Sequence, residues 1–253
     1  MKKVNDEILL NIIKNDKLTY FSEYKIILEE EHDLYTNDEE NAFVILQNYS
    51  YGSLISVINF NAKLLSEAIA FTGKPRDEIS IVIPLKSDEK LHTENNSNLN
   101  LSQKAVYKSF AYNGSVLPHS SNKHIRLLDK NDLSLVNDFP EENHKNMLQL
   151  PDAFSEFVLN ENGEIIGYFA DDGSLAGYLS CCPEIDNIWD VVYIYVSPEN
   201  RSRGIGTALA AQYLNSKGTR GQIPYYSGVT NPSSEAAALQ AGFSLCGLRY
   251  YFS

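Results

Sequence analysis

Three residues at a fixed spacing, Arg201, Gly204 and Gly206, form the pattern in this sequence best suited to chemistry. A segment rich in β-branched and aromatic residues, 191–196, comes before them, and a segment of good helix formers, 207–214, comes after them. The first N–H groups of a helix have no partner inside it, and the helix dipole favours negative charge there. Glycine admits an anion to the backbone because it has no Cβ. We therefore expect this loop to bind a ligand that carries a diphosphate.

Two common diphosphate-binding patterns do not fit this loop. A dinucleotide fold needs a third glycine where Leu209 stands, and a P-loop needs a lysine where Thr207 stands. The pattern R-x-x-G-x-G after a strand end instead resembles the coenzyme A pyrophosphate loop of the GNAT superfamily of N-acetyltransferases. The other interpretation is an ordinary strand–loop–helix connection with a glycine-rich turn.

The order of the predicted elements after residue 123 agrees with this resemblance. Residues 123–253 are predicted to fold as β-α-α-β-β-β-α-β-α-β-β, which is similar to the GNAT order. The segment NPSSEAAALQAGF, residues 231–243, is similar to the second motif of the family. The resemblance implies an α/β (α+β) fold, with a mixed, mostly antiparallel central sheet flanked by helices. We therefore predict a GNAT-like domain at 123–253, preceded by a linker at 112–122.

The first part of the chain, residues 1–120, is predicted to form an α/β domain that the resemblance does not cover. Strands are predicted at 42–47, 53–60 and 79–85, and a short helix is predicted at 102–110. Some GNAT proteins fuse two such domains, one of them degenerate. A degenerate second GNAT-like half is therefore one interpretation of this part, although it contains no R-x-x-G-x-G pattern.

The resemblance implies that the protein binds acetyl-CoA as a co-substrate. The glycine loop would bind the pyrophosphate, the end of the preceding strand would pair with the pantetheine arm, and a backbone N–H near Tyr195 or Val196 would polarise the thioester carbonyl. The other interpretation of the Tyr195 side chain is that it only packs in the core. Asn231 would equally serve as the N-cap of a helix that begins with Pro232. The implied coenzyme-binding residues are Ile194, Tyr195, Val196, Arg201, Ser202, Arg203, Gly204, Ile205, Gly206, Thr207, Asn231 and Ser234.

Asp190 is the candidate general base. Several GNAT members have a catalytic Glu at the same distance before the glycine loop, and the resemblance transfers that role to Asp190. An exposed Asp has a pKa near roughly 3.9 and is a poor base, but an apolar wall would raise the pKa by desolvation. The other interpretation is a capped, solvated Asp at the start of a strand. Glu184 and Asp186 are further candidates for the base or for recognition of the substrate amine.

The general acid that the family often uses is absent. It is a Tyr four residues before the Gly-Phe that ends the last helix, and this sequence has Ala238 there. Three alternatives remain open: another tyrosine donates the proton, water donates it, or the domain is not catalytic. The nearby tyrosines are Tyr225, Tyr226 and Tyr250.

Composition excludes several classes of protein. The formal net charge is −12, from 21 Lys and Arg against 33 Asp and Glu, so nucleic-acid binding is not expected. No apolar run approaches the roughly 20 residues of a membrane helix, so no membrane partner is expected. Cys181, Cys182 and Cys246 have no metal-ligand spacing; we expect reduced thiols in a cytoplasmic protein, and no metal.

These observations predict an N-acetyltransferase that transfers an acetyl group from acetyl-CoA to a primary amine by direct attack. The amine-bearing acceptor is a small molecule or a protein, and an acidic surface would attract a cationic amine. Its identity depends on the loops at 139–151 and 182–187, which carry no recognisable signature. A homodimer is one option for the assembly. The alternative function is a non-catalytic acetyl-CoA-binding module with a regulatory or scaffold role.

Overall fold

The computed structural model describes residues 1–89, 91, 99, 101–112, 114, 122–139, 159–160 and 163–253. The chain forms two compact units. The N-terminal unit contains Met1–Ser109 together with Cys246–Ser253, and the C-terminal unit contains Phe110–Leu245. The boundary at residues 109–110 comes before the predicted division at residues 120–123, and the segment after Leu245 is part of the N-terminal unit.

The N-terminal unit is a sheet with helices packed on it. Its strand order is β1-β2-β3-β4-β5-β12-β6. Strands β4 and β5 are parallel, and the pairs β1·β2, β2·β3, β3·β4 and β5·β12 are antiparallel. Its elements are β1 (Lys2–Lys3), α1 (Asp6–Ile13), α2 (Phe21–Glu29), β2 (Asp33–Thr36), β3 (Phe43–Tyr49), β4 (Gly52–Ile58), α3 (Ala62–Thr72), β5 (Ile79–Lys86), β6 (Gln103–Ala111) and β12 (Ser244–Phe252).

Both faces of this sheet are buried. Along β3, Val44 packs on the face that α3 covers, and Ile45 packs on the face that α1 and α2 cover. Successive strand residues point to opposite faces, so a strand covered on both sides is apolar throughout. This explains the continuous apolar run at the start of β3.

The helix predicted at 102–110 is wrong, because this segment is strand β6. Its polar and aromatic residues do not decide between the two structures by local preference alone. In the fold, β6 lies beside β12, and Tyr107 packs edge-on against Tyr251 with ring centroids 4.8 Å apart. A cross-strand aromatic pair of this kind stabilises a strand through a partner far away in the sequence.

The C-terminal unit contains a mixed set of five neighbouring strands flanked by helices. Its strand order is β11-β10-β9-β8-β7; β10 and β11 are parallel, and the other pairs are antiparallel. This is the mostly antiparallel sheet that the sequence predicted, and the fold class is confirmed. Its elements are β7 (Ile125–Leu127), α4 (Leu133–Asn137), β8 (Glu164–Phe169), β9 (Leu175–Pro183), β10 (Ile188–Val196), α5 (Ile205–Gly218), β11 (Ile223–Val229) and α6 (Pro232–Ala241).

Two cores lie on opposite faces of these five strands. The helix-side core contains Leu209 and Leu214 of α5, Ala238 and Ala241 of α6, and Phe243. The aromatic core lies on the other face and contains Leu128, Val136, Phe139, Ile165, Tyr178 and Tyr195. Strand β10 contributes side chains to both cores, and its geometry is therefore central to the site.

Some sequence predictions fall outside the described residues. This applies to most of the linker predicted at 112–122 and to the greater part of the candidate acceptor loop at 139–151. In the described part of the chain, no helix combines the length and the apolar character needed to span a bilayer.

Candidate functional site

Strands β10 and β11 part after a short paired stretch, and we call the point of separation the fork. They pair at three positions, of which Asp190 opposite Tyr225 is the last. Strand β10 then continues to Val196 and pairs with β9 on its other side. A parallel pair that stops while both strands continue leaves backbone groups and side chains of β10 open to a ligand.

A β-bulge in β10 lies directly after the fork. In the pairing with β9, Val191 is opposite Cys181 and Tyr193 is opposite Ser180, so the register shifts at Val192. The bulge changes which face each residue points to. Val191 packs in the helix-side core, whereas Tyr193 and Tyr195 both pack on the aromatic core.

The open end of β10 forms one wall of a cavity of about 840 Å³. The start of α5 and one face of α6 form the other walls, and a cavity of this size is typical of small-molecule sites. Its lining residues are Tyr193, Ile194, Tyr195, Val196, Asn200, Arg201, Ser202, Gly204, Ile205, Gly206, Thr207, Asn231, Ser233, Ser234, Ala236, Ala237 and Gln240.

The cavity brings together eleven of the twelve predicted coenzyme contacts. Arg203 is the exception: its side chain is exposed, and its Nη1 donates to Oδ1 of Asn200 at 3.3 Å. Sequence reasoning missed six lining residues. Four of them, Ser233, Ala236, Ala237 and Gln240, lie on α6 at the three- to four-residue spacing of one helix face, a signal that could have identified them.

The start of α5 is left uncapped by side chains. Its N-cap, Gly204, has a left-handed conformation with φ 77°, and no acidic residue lies in the first turn. By contrast, the N-cap of α6 is filled, because Oδ1 of Asn231 accepts a hydrogen bond from the Ser234 N–H at 2.8 Å. The first amides of α5 are therefore suited to an external anion.

One cationic side chain lines the cavity beside these amides. Nε of Arg201 donates to the Val196 carbonyl at 3.2 Å, and its guanidinium lies 5.9 Å from the centre of the Tyr195 ring. These contacts hold the charge at the mouth of the glycine loop. The combination of a fixed cation and a helix N-terminus fits a phosphate group.

Asp190 lies at the fork and does not line the cavity. It is half-buried, and Ser227 of β11 donates to both carboxylate oxygens: the N–H to Oδ1 at 3.0 Å and the hydroxyl to Oδ2 at 2.6 Å. Burial raises the pKa of Asp190 to about 7, and the Glu184 carboxylate adds to that rise, whereas the two bonds from Ser227 oppose it. A carboxylate in this range can accept a proton near neutral pH.

The position at which the family often has a tyrosine lies inside the protein core. Ala238 is fully buried in the helix-side core. Tyr226 of β11 lies in the same core, its ring 6.3 Å from that of Phe243, and its side chain is hydrogen-bonded to Ser234 in the cavity wall. Burial raises the pKa of Tyr226, so its hydroxyl stays protonated. Tyr250 packs instead against a core of the N-terminal unit.

Other titratable groups do not form a metal site within the residues that the structure describes, where no cluster of three His, Cys, Asp or Glu side chains occurs. No disulfide joins the three cysteines, all of which lie in the described residues. Asp186, a candidate for amine recognition, is exposed and has a left-handed backbone with φ 54°.

Comparisons with known proteins agree with this geometry. The model of the Acetyltransferase (GNAT) family matches residues 127–243. Residues 127–243 are therefore similar to a GNAT acetyltransferase domain. The match includes the glycine loop, the fork and α6. A search of the curated proteins found no matching sequence.

Solved GNAT structures share the fold at low sequence identity. A GCN5-related N-acetyltransferase from Sphaerobacter thermophilus has a TM-score of 0.61 and 14% identity, over 88% of this chain and 79% of that one. A GNAT-family acetyltransferase from Colwellia psychrerythraea has a TM-score of 0.58 and 14% identity, over 100% and 99% of the two chains. These likenesses show the fold.

A tandem GNAT protein from the clavulanic acid biosynthesis pathway is also similar. Its TM-score is 0.55 and its identity 9%, and the alignment covers 99% of this chain and 96% of that one. Because the alignment includes the N-terminal unit, that unit is consistent with a second GNAT-like half.

Proposed function

We propose that this protein transfers an acetyl group from acetyl-CoA to a primary amine. The observation that carries the proposal is the cavity in which the open end of β10 meets an uncapped, glycine-rich helix start with Arg201 beside it. The match to the family model supports acyl transfer from an acyl-CoA in general. The acetyl group, the primary amine and the roles of individual residues belong to the proposal.

In this proposal the pyrophosphate lies on the amides at residues 203–207, with Arg201 close to its charge. The backbone of Ile194 to Val196 pairs with the pantetheine arm on the side opposite β9. A backbone N–H near Tyr195 or Val196 donates to the thioester carbonyl oxygen, and stabilises the negative charge that develops there.

Asp190 is proposed to accept the proton that the ammonium group must lose before attack, directly or through one water molecule. The amine nitrogen then attacks the carbonyl carbon and the new C–N bond forms; the C–S bond of the thioester breaks, and the nitrogen loses its second proton to water. The leaving thiolate takes a proton from Ser234, which takes one from Tyr226, and the resulting tyrosinate is reprotonated from solvent. In this assignment, Tyr226 of β11 takes the role of the tyrosine that is missing at position 238.

Calorimetric titration with acetyl-CoA, followed by thiol release with a panel of amines, tests the proposal. We expect binding in the micromolar range, about −8 kcal/mol, and thiol release that depends on the amine. Absence of acetyl-CoA binding by the folded protein would refute the coenzyme site.

Ala238 favours a second candidate, a non-catalytic acetyl-CoA-binding module with a regulatory or scaffold role. That function predicts acetyl-CoA binding of the same strength, with no thiol release above the rate without protein for any amine tested. The same two measurements therefore separate the candidates. For both, we propose a cytoplasmic location, which the three cysteines favour because no disulfide joins them.

A further inference from the structure

One long polar side chain of α6, that of Gln240, lines the cavity. The helix contributes four other lining residues, all with small side chains: Ser233, Ser234, Ala236 and Ala237. Opposite them, a Cβ on Gly206 of α5 would lie 3.8 Å from the Cβ of Ala237. The two helices are therefore close together at this point, and Gln240 comes about one turn further along α6.

The amide group of Gln240 is held by α5. The hydroxyl of Thr207 donates to Oε1 of Gln240 at 3.1 Å. The nitrogen of a side-chain amide carries two N–H donors in addition to this acceptor oxygen. No residue in the described ranges accepts a hydrogen bond from Nε2 of Gln240. The bond from Thr207 thus orients the amide and leaves both of its donors available at the cavity wall.

Thr207 lies where the open start of α5 ends. The first hydrogen bond of the helix runs from the Ala208 N–H to the Gly204 carbonyl at 2.9 Å. The N–H groups of residues 205–207 come before this bond and have no acceptor inside the helix. Gln240 is therefore bonded to the side chain of the residue that carries the last of these N–H groups. A diphosphate that extends along them can reach the Nε2 donors from the α6 side.

The charge of the cavity favours such a contact. Its lining residues include Arg201 and contain no Asp or Glu. An amide that donates to an anionic oxygen forms a charge-assisted hydrogen bond, which is stronger than a bond between neutral groups. Gln240 can thus supply from α6 the kind of contact that Arg201 and the first amides of α5 supply from the glycine loop.

We propose that Gln240 is a further coenzyme-binding residue, whose amide donates to the diphosphate of an acyl-CoA while Thr207 holds its carbonyl oxygen. The role in coenzyme binding rests on the function proposed above. It differs from a purely structural role, in which the bond between Thr207 and Gln240 only joins α5 to α6. Coenzyme binding requires the N–H donors of Gln240, whereas the joining of the helices requires only its oxygen.

Gln240→Glu separates these two roles. A carboxylate still accepts a hydrogen bond from Thr207, but it donates none and places a negative charge beside the phosphate groups. The Kd for acetyl-CoA, measured by calorimetry, should rise about a hundredfold, which corresponds to roughly 2.8 kcal/mol. The thermal midpoint should stay close to that of the wild type. Wild-type affinity in the folded variant would overturn the proposal.

Gln240→Met removes the donors and the acceptor together and adds no charge. We expect a smaller rise in the Kd for acetyl-CoA, about tenfold, because only the hydrogen bond to a charged group is lost. A purely structural link predicts the reverse order, with the Met variant more impaired than the Glu variant. That order would overturn the proposal.

Leu239→Glu is the matched control, because Leu239 is the adjacent exposed residue of α6 and does not line the cavity. It adds the same charge outside the cavity, where solvent and salt screen it, and should change the Kd less than about threefold. A loss of affinity equal to that of Gln240→Glu would show that long-range charge causes the effect, and would overturn the proposal.

A second measurement follows the Gln240 amide directly. Its two side-chain protons can be assigned in the NMR spectrum by their loss in the Met variant, and should shift when wild-type protein is saturated with acetyl-CoA. Unchanged signals would overturn the proposal. If wild-type protein does not bind acetyl-CoA, the proposed function fails; if it binds and all three variants bind equally well, only the role of Gln240 fails.

Discussion

The two units each contain a strand, a helix and a second strand parallel to the first, and the two segments differ in what lies at the helix start. In the N-terminal unit, β4 is joined to α3 by residues 59–61, and the side chain of Asn61 accepts a hydrogen bond from the Leu64 N–H at 2.9 Å. In the C-terminal unit, β10 is joined to α5 by residues 197–204, and the N-cap is a glycine. A side chain caps the first helix start, and no side chain caps the second.

The ends of β4 and β10 also differ in whether their side chains are buried in a core or line a cavity. The last two residues of β4, Val57 and Ile58, are fully buried in cores on the two faces of the sheet. The end of β10 instead lines the cavity, with Ile194 and Val196 partly exposed. The same arrangement of elements thus forms a cavity where the strand end and the helix start are both left unfilled.

The largest effect is expected from filling the open helix start. Gly206→Trp should abolish acetyl-CoA binding, because a Cβ at this position points toward the cavity-lining side chains of Ile194, Val196 and Ala237. Calorimetric titration measures the loss. Gly206→Ala is the control: its nearest contact would be 3.8 Å, an ordinary packing distance, so binding should persist. Retained binding in the Trp variant would disprove the coenzyme assignment.

The next largest effect is expected at Asp190 of β10, the proposed general base. No such role is proposed for a residue of β4. Asp190→Asn should lower kcat by about 10²- to 10⁴-fold, the usual contribution of general base catalysis, with little change in acetyl-CoA affinity. Because only the carboxylate accepts a proton, wild-type kcat/KM should fall as the pH decreases through about 7, the pKa of Asp190. A variant with normal turnover and the same pH profile would exclude Asp190 from the mechanism.

A smaller effect is expected at the proposed proton donor. Tyr226→Phe should reduce kcat about tenfold, less than the usual contribution of acid catalysis, because a CoA thiolate leaves with little assistance. Steady-state kinetics at several pH values measures it. Ser234→Ala should give a similar reduction, and the double variant should show no further loss if the two hydroxyls act together. Independent, multiplying losses would contradict the relay.

The smallest effect is expected from the filled helix start. Asn61→Ala should lower the free energy of unfolding by about 1 kcal/mol, the usual cost of losing an N-cap, and leave acetyl-CoA affinity unchanged. Urea unfolding measures the first quantity and calorimetry the second. A change in coenzyme affinity would contradict the view that only the C-terminal unit binds the ligand.

Local patterns made much of the site predictable. The spacing of Arg201, Gly204 and Gly206 after an apolar strand is a short-range signal, and so is Asn231-Pro232 at the start of a helix. Such signals depend on a few consecutive residues whose backbone geometry they determine. For that reason the loop, the two helices and the general fold class could be predicted before the structure.

Long-range contacts could not be predicted in this way. No sequence pattern connects Asp190 with Ser227, or Thr207 with Gln240, and both contacts lie at the site. Strand β6 was predicted as a helix because its partner, β12, lies more than a hundred residues away along the chain. In each case the deciding partner comes from elsewhere in the sequence.

The position of β12 has a consequence for how the protein is made. This strand lies between β5 and β6, so the sheet of the N-terminal unit cannot be completed until residues 246–252 have been synthesised. The whole of Phe110–Leu245 emerges from the ribosome before that happens. Domains generally fold in the order of synthesis, but here the unit that begins first is completed last. Until then, β5 and β6 lack the strand that lies between them in the folded protein.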